Sequence, residues 1–290
     1  MGALLVAGGA MLFACKGIIA KALYARGLGF EAITAVRALI ALPLFWVFAA
    51  AREAAQIRRT RPRAIAAAAF AGVLCYYAGA MTDFYALTLI DAGVERVLIF
   101  SYPAMVVAIG ATRARRWPSR TTVVATLLTY VGIFLVVGGF DLAALRANHV
   151  GAGYVLLAAL SFAIYFLIGE RYTREMGSAR FTLFSMTAAA VALGVHVGVR
   201  DGLGSVASLE AAGWALLLAI SIACMFIPAL MQSEGVRRIG AQRAALVSTV
   251  GPPTTLFAAW LLLGERMNGW QYAGVALILL GILALDVAKR

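Results

Sequence analysis

Several long stretches of this chain contain no aspartate, glutamate, lysine or arginine, and they constrain the fold more than any other feature. Examples are 64–82, 121–140, 181–199, 211–233 and 244–264. A helix needs roughly 20 mostly apolar residues to cross a bilayer, and each stretch is close to that length. An open β-sheet cannot cross lipid, because its backbone groups would lack hydrogen-bond partners. The sequence therefore predicts an all-α membrane protein.

The composition excludes a soluble protein. Of 290 residues, 63% are hydrophobic and 13% are charged, whereas a soluble domain is roughly half apolar and a quarter charged. So few polar residues cannot cover a core of this size. The net charge of +12 would suggest a nucleic-acid partner in a soluble protein. Here the arginines cluster in short breaks between apolar runs, which is typical of membrane topology, so we predict no nucleic-acid partner.

Apolar runs with few charges extend the count to ten transmembrane helices. The predicted spans are 2–25, 31–51, 64–86, 92–113, 121–139, 150–170, 181–199, 212–235, 242–264 and 268–287. The even-numbered loops and the C-terminus carry 17 basic residues, and the odd-numbered loops carry four. Because cytoplasmic loops are enriched in Lys and Arg, both termini are predicted to be cytoplasmic. We expect an integral protein of a bacterial inner membrane.

The two halves of the chain resemble each other at an offset of 149 residues. Pairs at this offset are Cys75 and Cys224, Gly79 and Pro228, and Pro103 and Pro252. We predict two five-helix repeats, 1–143 and 150–290, within one membrane domain. Five is odd, so the second repeat must be inverted, as in many secondary transporters with a site between the repeats. One chain then supplies both halves, and a monomer would suffice.

The end of the second half carries a recognisable set of residues. These are Gly251-Pro252-Pro253, Leu263-Gly264-Glu265-Arg266, Trp270-Gln271, Gly274 and Gly281. With the duplicated unit, this pattern resembles the drug/metabolite transporter superfamily, specifically its EamA-like ten-helix members. The first half departs from the pattern, with Arg115-Arg116-Trp117 in place of Gly264-Glu265-Arg266. The resemblance implies a secondary transporter that exports small metabolites; relatives handle amino acids, nucleotide sugars, sugar phosphates and cations.

Three charged residues are candidates for substrate binding. Lys16 lies ~15 Å from the end of the first span, at ~1.5 Å per residue. A lone charge at this depth costs roughly 2.5–3.5 kcal/mol, so Lys16 should face a cavity or pair with an acid. It is predicted to bind a substrate carboxylate; a structural ion pair or a side chain reaching to water are the alternatives. Asp83 and Glu95 would bind the substrate ammonium or carry a proton, or else form a salt bridge at a loop end.

Aromatic and hydroxyl side chains complete the predicted binding set. They are Tyr77, Phe84, Phe100, Ser101, Tyr102, Tyr165, Phe226 and Ser248. A cavity lined by rings and a few hydroxyl groups would suit a small molecule, whereas ordinary packing is the alternative for each ring. Spans 1, 3 and 4 and spans 6, 8 and 9 are expected to enclose this cavity. The aromatic cluster resembles YddG-type exporters and favours aromatic or neutral amino acids as substrates.

Four residues that weaken helices are predicted hinges of an alternating-access motion. They are Gly79, Pro103, Pro228 and Pro252. Proline frees a backbone carbonyl and bends a helix, so equivalent positions in both halves suit a bending gate. The alternative is a static kink that shapes packing.

No cofactor, metal site or catalytic set is predicted. His149 and His196 lack metal-ligand spacing, and the three cysteines include no CxxC pair. The chain has no P-loop, HExxH or GxSxG motif, so an enzyme is disfavoured. The main alternative is a nucleotide-sugar or sugar-phosphate antiporter, which would need several basic residues converging deep in the membrane. A multidrug exporter of the same fold is a further alternative.

Overall fold

The structure is a computed structural model, and it describes residues 1–113, 120–137, 142–200, 203–251, 254, 261, 264 and 268–287. Within these ranges every regular element is a helix and no strand occurs. This confirms the all-α prediction.

Eight α-helices and one π-helix follow one another in the described part of the first half. They are α1 (Gly2–Ala14), α2 (Lys16–Tyr24), α3 (Phe30–Arg58), α4 (Pro62–Gly72), π1 (Val73–Gly79), α5 (Ala80–Leu89), α6 (Ala92–Ile99), α7 (Tyr102–Arg113) and α8 (Arg120–Val137). The helices α4, π1 and α5 run on without a break, so they form one long segment.

The described part of the second half contains a second π-helix. Its elements are α9 (Leu142–Met176), α10 (Ser178–Val199), α11 (Gly204–Ala207), α12 (Ala211–Ser221), π2 (Ile222–Phe226), α13 (Ile227–Ile239), α14 (Ala241–Val247), a 3-10 turn (Ser248–Val250) and α15 (Gly269–Val287).

Among the described residues, six helical segments are long and apolar enough to cross a membrane. They are Gly2–Tyr24, Phe30–Arg58, Pro62–Leu89, His149–Met176, Ser178–Val199 and Ala211–Ile239. They correspond to predicted spans 1, 2, 3, 6, 7 and 8, and the shorter apolar helices Tyr102–Thr112 and Gly269–Gly281 fall within two more. The part of predicted span 242–264 after Gly251 lies outside the described residues except for positions 254, 261 and 264. The surface exposes large apolar side chains such as Val195, Leu218 and Leu280, as expected where lipid is the solvent.

The two π-helices lie at equivalent places in the halves. Gly79 ends π1, and Pro228 is the second residue of α13, directly after π2. A proline inside an α-helix clashes with the carbonyl four residues earlier. A wider π turn next to the proline moves that carbonyl and so relieves the clash. The sequence therefore predicts the places of these irregularities, and the structure shows that they take the form of π turns.

Two further helix breaks lie in the first half. The first separates α1 from α2 at Cys15, and the second separates α6 from α7 at Phe100 and Ser101. Pro103 is the second residue of α7. The N–H groups of the first helical turn have no partner within the helix, so a proline fits there without loss of a helical hydrogen bond. Its hinge counterpart, Pro252, lies outside the described residues.

A close contact between α4 and α10 joins the two halves. A β-carbon built on Gly72 would overlap the backbone of Ser185, and the Ser185 hydroxyl donates to the Ala68 carbonyl at 2.8 Å. Small residues allow helices in membranes to approach this closely. The helix α10 also packs along α3, so it lies against two spans of the first half.

We predict that Gly72→Ala lowers the free energy of unfolding by about 1–3 kcal/mol, because the Ser185 backbone cannot rotate away from the new methyl group. Thermal unfolding in detergent measures the change. Gly153→Ala on α9 is the control, since nothing lies within 4 Å of its added β-carbon. Equal melting temperatures for the two variants would contradict the close contact.

Candidate functional site

A central cavity lies between the two halves. Its walls come from spans 1, 3 and 4 and spans 6, 8 and 9, as predicted from the sequence, and Arg37 adds a side chain from the second span. The lining residues are Ala10, Phe13, Lys16, Arg37, Cys75, Tyr76, Ala80, Asp83, Ile99, Phe100, Tyr102, Phe162, Tyr165, Phe166, Gln232 and Ser248. The cavity volume is about 50 Å³, enough for a few water molecules, since each needs ~10–15 Å³ by this measure. An amino acid would not fit without movement of the walls.

Aromatic rings from both halves meet across this cavity. The ring of Tyr102 lies 5.2 Å from that of Phe166 and 5.7 Å from that of Phe100, measured between centroids. Tyr76 and Tyr165 form an edge-to-face pair at 5.2 Å. Such offset and edge-on pairs are the favoured arrangements of aromatic rings. The cavity is therefore apolar over most of its wall, with a few hydroxyl groups.

Lys16 joins two buried carboxylates at the cavity wall. Its ammonium forms an ion pair with Asp83 and lies 3.3 Å from the Glu95 Oε1. At most 5% of each of the three side chains is exposed. The break at Cys15 places Lys16 at the start of α2, where it faces α5 and α6. The sequence leaves open whether Lys16 contacts a substrate carboxylate, forms a structural ion pair or reaches to water. The structure shows an ion pair with two acids.

A second buried cation lies beside this group. The guanidinium of Arg37 stacks on the Phe84 ring at 4.3 Å, and the Lys16 ammonium lies 5.4 Å from the same ring. The Nε of Arg37 is buried and has no hydrogen-bond partner among the described residues. Lys16, Arg37, Asp83 and Glu95 together form what we call the central charge cluster, with two positive and two negative side chains.

Polar side chains of the second half lie on the facing wall. The amide of Gln232 lies 3.4 Å from the Ser248 hydroxyl and donates to the Val6 carbonyl at 3.3 Å. Tyr165 and Ser233 share a hydrogen bond of 3.3 Å.

Ser101, at the break before α7, is fully buried, and its hydroxyl has no partner within the described part of the chain.

Six of the predicted binding residues line the cavity and five do not. Those on the wall are Lys16, Asp83, Phe100, Tyr102, Tyr165 and Ser248. Glu95 and Phe84 contact Lys16 from behind the wall, and Ser101 is buried next to Tyr102.

Tyr77 and Phe226 are placed elsewhere. The Tyr77 hydroxyl lies 3.0 Å from the Nδ1 of His196 on α10, away from the central rings. Phe226, at the end of π2, packs edge-on against Phe45 and Phe48 of α3 and lines a second cavity. Helical spacing put Tyr77 on the face of Phe84, but the π turn through Val73–Gly79 changes the register between them.

Several lining residues fall outside the predicted set. Gln232 carries a signal in the sequence, because it is an amide at the end of a charge-free run. Arg37 carries a comparable signal as a charge inside the second span. Phe162 and Phe166 carry none, since a phenylalanine in a membrane helix is ordinary. In the described ranges no three His, Cys, Asp or Glu side chains come close enough to hold a metal ion.

We predict that Lys16→Met lowers the free energy of unfolding by about 3–5 kcal/mol, because it leaves two buried carboxylates without their cation. The quadruple variant Lys16→Met, Arg37→Met, Asp83→Asn, Glu95→Gln, which removes every charge of the central charge cluster, should recover most of the loss. Denaturation in detergent measures both changes. Lys21→Met is the control, since Lys21 pairs with the exposed Asp91 at 3.6 Å and such pairs contribute under ~1 kcal/mol. A loss no larger than that of Lys21→Met would contradict the pairing.

Comparison with known proteins adds independent evidence. The model of the EamA-like transporter family matches the chain twice, over residues 1–138 and 149–285. The chain is 32% identical over 284 residues to the uncharacterized transporter YcbK of Bacillus subtilis (strain 168), covering 97% of this chain and 91% of that protein. It is 19% identical over 174 residues to the uncharacterized transporter YyaM of the same organism, covering 59% of this chain and 57% of that protein.

A crystal structure with 16% sequence identity shows the same fold. It has a TM-score of 0.74 and covers 100% of this chain and 97% of its own. The long apolar helices, the cavity between two halves and the double family match agree with one another. The chain belongs to the EamA-like transporter family, within the drug/metabolite transporter superfamily, and is an integral membrane protein.

Proposed function

We propose that the protein is a secondary transporter that exports aromatic and neutral amino acids, in the manner of a YddG-type exporter. Membership of a transporter family implies a small-molecule substrate and a bilayer around the protein. The observation that carries the substrate class is the central charge cluster at the wall of an aromatic cavity.

The charges of this cluster match those of an amino acid. A zwitterion carries one ammonium and one carboxylate, and the cluster offers carboxylates at Asp83 and Glu95 and cations at Lys16 and Arg37. On binding, ion pairs within the cluster would be replaced by ion pairs between the cluster and the substrate. These new pairs would offset the cost of removing water from the charges of the substrate. Rings such as Tyr102 and Phe166 would hold the side chain.

The transport cycle in this proposal is alternating access between two inverted five-helix repeats, 1–143 and 150–290. The double family match and the π-helices at equivalent positions support a duplicated unit. The cavity must widen to admit substrate, and π turns beside Gly79 and Pro228 are places where helices can bend. Both termini would be cytoplasmic in a bacterial inner membrane, following the basic residues.

A sugar-phosphate or nucleotide-sugar carrier is the second candidate within transport, and the charge balance disfavours it. A phosphate group needs a surplus of positive charge, whereas Lys16 already pairs with two carboxylates. The observation in favour of this candidate is the buried Nε of Arg37, which has no hydrogen-bond partner within the part of the chain that the structure describes.

We expect counterflow of labelled phenylalanine in proteoliposomes loaded with phenylalanine. Unlabelled tryptophan, threonine and methionine should inhibit the exchange, and a sugar phosphate and a quaternary ammonium drug should not. The quadruple variant without charges at Lys16, Arg37, Asp83 and Glu95 should fold and lose the exchange. Inhibition by the sugar phosphate or the drug alone would keep the transporter and reject amino acids as its substrates.

We predict that Tyr102→Ala raises the KM for phenylalanine about 2–10-fold, because the substrate ring loses its stacking partner. The KM for threonine should change less, since its side chain has no ring. Tyr272→Ala is the control, because Tyr272 is an exposed tyrosine of α15 that lies outside the cavity wall. An equal change for phenylalanine and threonine would argue against a role in ring recognition.

A further inference from the structure

A second cavity of about 720 Å³ opens between α1, α3, α10 and α13, at the end of the bundle that carries Met1. It is much larger than the central cavity and shares no lining residue with it. Its volume lies within the range of small-molecule sites. Its wall combines an apolar surface with a basic rim, so a ligand with both characters would fit.

The apolar surface comes from helices of both halves. It consists of Met1, Leu5, Phe48, Phe226, Ile227, Leu230 and Met231. The edge-on contact of Phe226 with Phe48, at 6.2 Å between centroids, joins the two sides. An acyl chain lying on this surface would replace contacts with bulk lipid by contacts with protein.

The rim carries a surplus of positive charge. Glu234 accepts hydrogen bonds from both Arg237 and Arg238, at 2.5 to 2.7 Å, so two guanidinium groups share one carboxylate. Glu53 pairs with Arg180 at 2.6 Å. No ion pair involves Arg52 among the described residues, and its guanidinium stacks on the Phe48 ring at 4.5 Å.

Arg52 lies at the depth of lipid headgroups. The helix α3 begins at Phe30, and at ~1.5 Å per residue Arg52 lies ~33 Å along its axis. The hydrocarbon core is ~30 Å thick, so a helix that starts at one interface reaches the other near Arg52. Phe48 lies one turn deeper, at the level of acyl chains. The site therefore presents cations where phosphates lie and apolar side chains where tails lie.

We propose that this cavity binds an anionic phospholipid, with its phosphate at Arg52, Arg237 and Arg238 and an acyl chain along Phe48, Phe226 and Leu230. Basic pockets between the helices of membrane proteins bind anionic lipid headgroups. Guanidinium groups match phosphate oxygens in geometry as well as charge. Because the walls come from both halves, the bound lipid would hold α1 and α3 against α10 and α13 in this conformation.

The first test is thermal unfolding of the purified chain in a neutral detergent, titrated with phosphatidylglycerol or with phosphatidylcholine of the same acyl chains. Phosphatidylglycerol should raise the melting temperature at lower concentration than phosphatidylcholine. Arg52→Ala should weaken its apparent affinity about fivefold, the contribution typical of one basic residue at a membrane surface. Arg58→Ala is the control, because it removes an exposed arginine from the same end of α3 outside this cavity.

Equal stabilisation by the two lipids, or equal loss in the two variants, would overturn the proposal. Stabilisation by glycerol phosphate or inorganic phosphate to the level of phosphatidylglycerol would identify a soluble anion as the ligand instead of a lipid. A second test uses phosphatidylglycerol with a photoreactive acyl chain. Labelling of the peptide that contains Phe226 and Leu230 is expected, and labelling of the exposed outer faces alone would reject the site.

Discussion

The ion pairs of Lys16 with Asp83 and Glu95 are the interaction on which the centre of the structure depends. A charge inside a bilayer must be neutralised or hydrated, and here three helices bring their charged side chains to one point. The contacts tie α2 to α5 and α6, and Arg37 brings α3 to the same place through Phe84. Because each partner is buried, none of these helices can move far without exposing or stranding a charge.

In the proposed function the same cluster would offer groups of both signs to a substrate of both signs. The π turns in Val73–Gly79 and Ile222–Phe226 lie in two segments that line the cavity, the first through Cys75, Tyr76, Ala80 and Asp83 and the second through Gln232. Bending there would change the cavity without breaking the helices at its ends.

The two cavities lie at different depths in the helix bundle. The central one lies among buried rings and ion pairs, whereas the other lies among arginines at the end of the bundle. Phe226 was expected in the first and lies in the second, because π2 rotates the residues that follow Ser221. A lipid in the second cavity would contact both halves, so the surrounding membrane would influence which conformation the transporter favours.

The amino-acid sequence is sufficient to predict the solvent, the helical class and the depth of the charged residues, because the length and polarity of a run decide whether it can cross lipid. It also located the weak points near Gly79 and Pro228, since these follow from backbone chemistry. The packing of the helices was needed to show that Lys16 contacts both acids, that the Tyr77 hydroxyl faces His196, and that Gln232 and Arg37 line the cavity. Such contacts depend on helix rotation and on register shifts of one residue at a π turn, and a periodic pattern of apolar residues does not specify either.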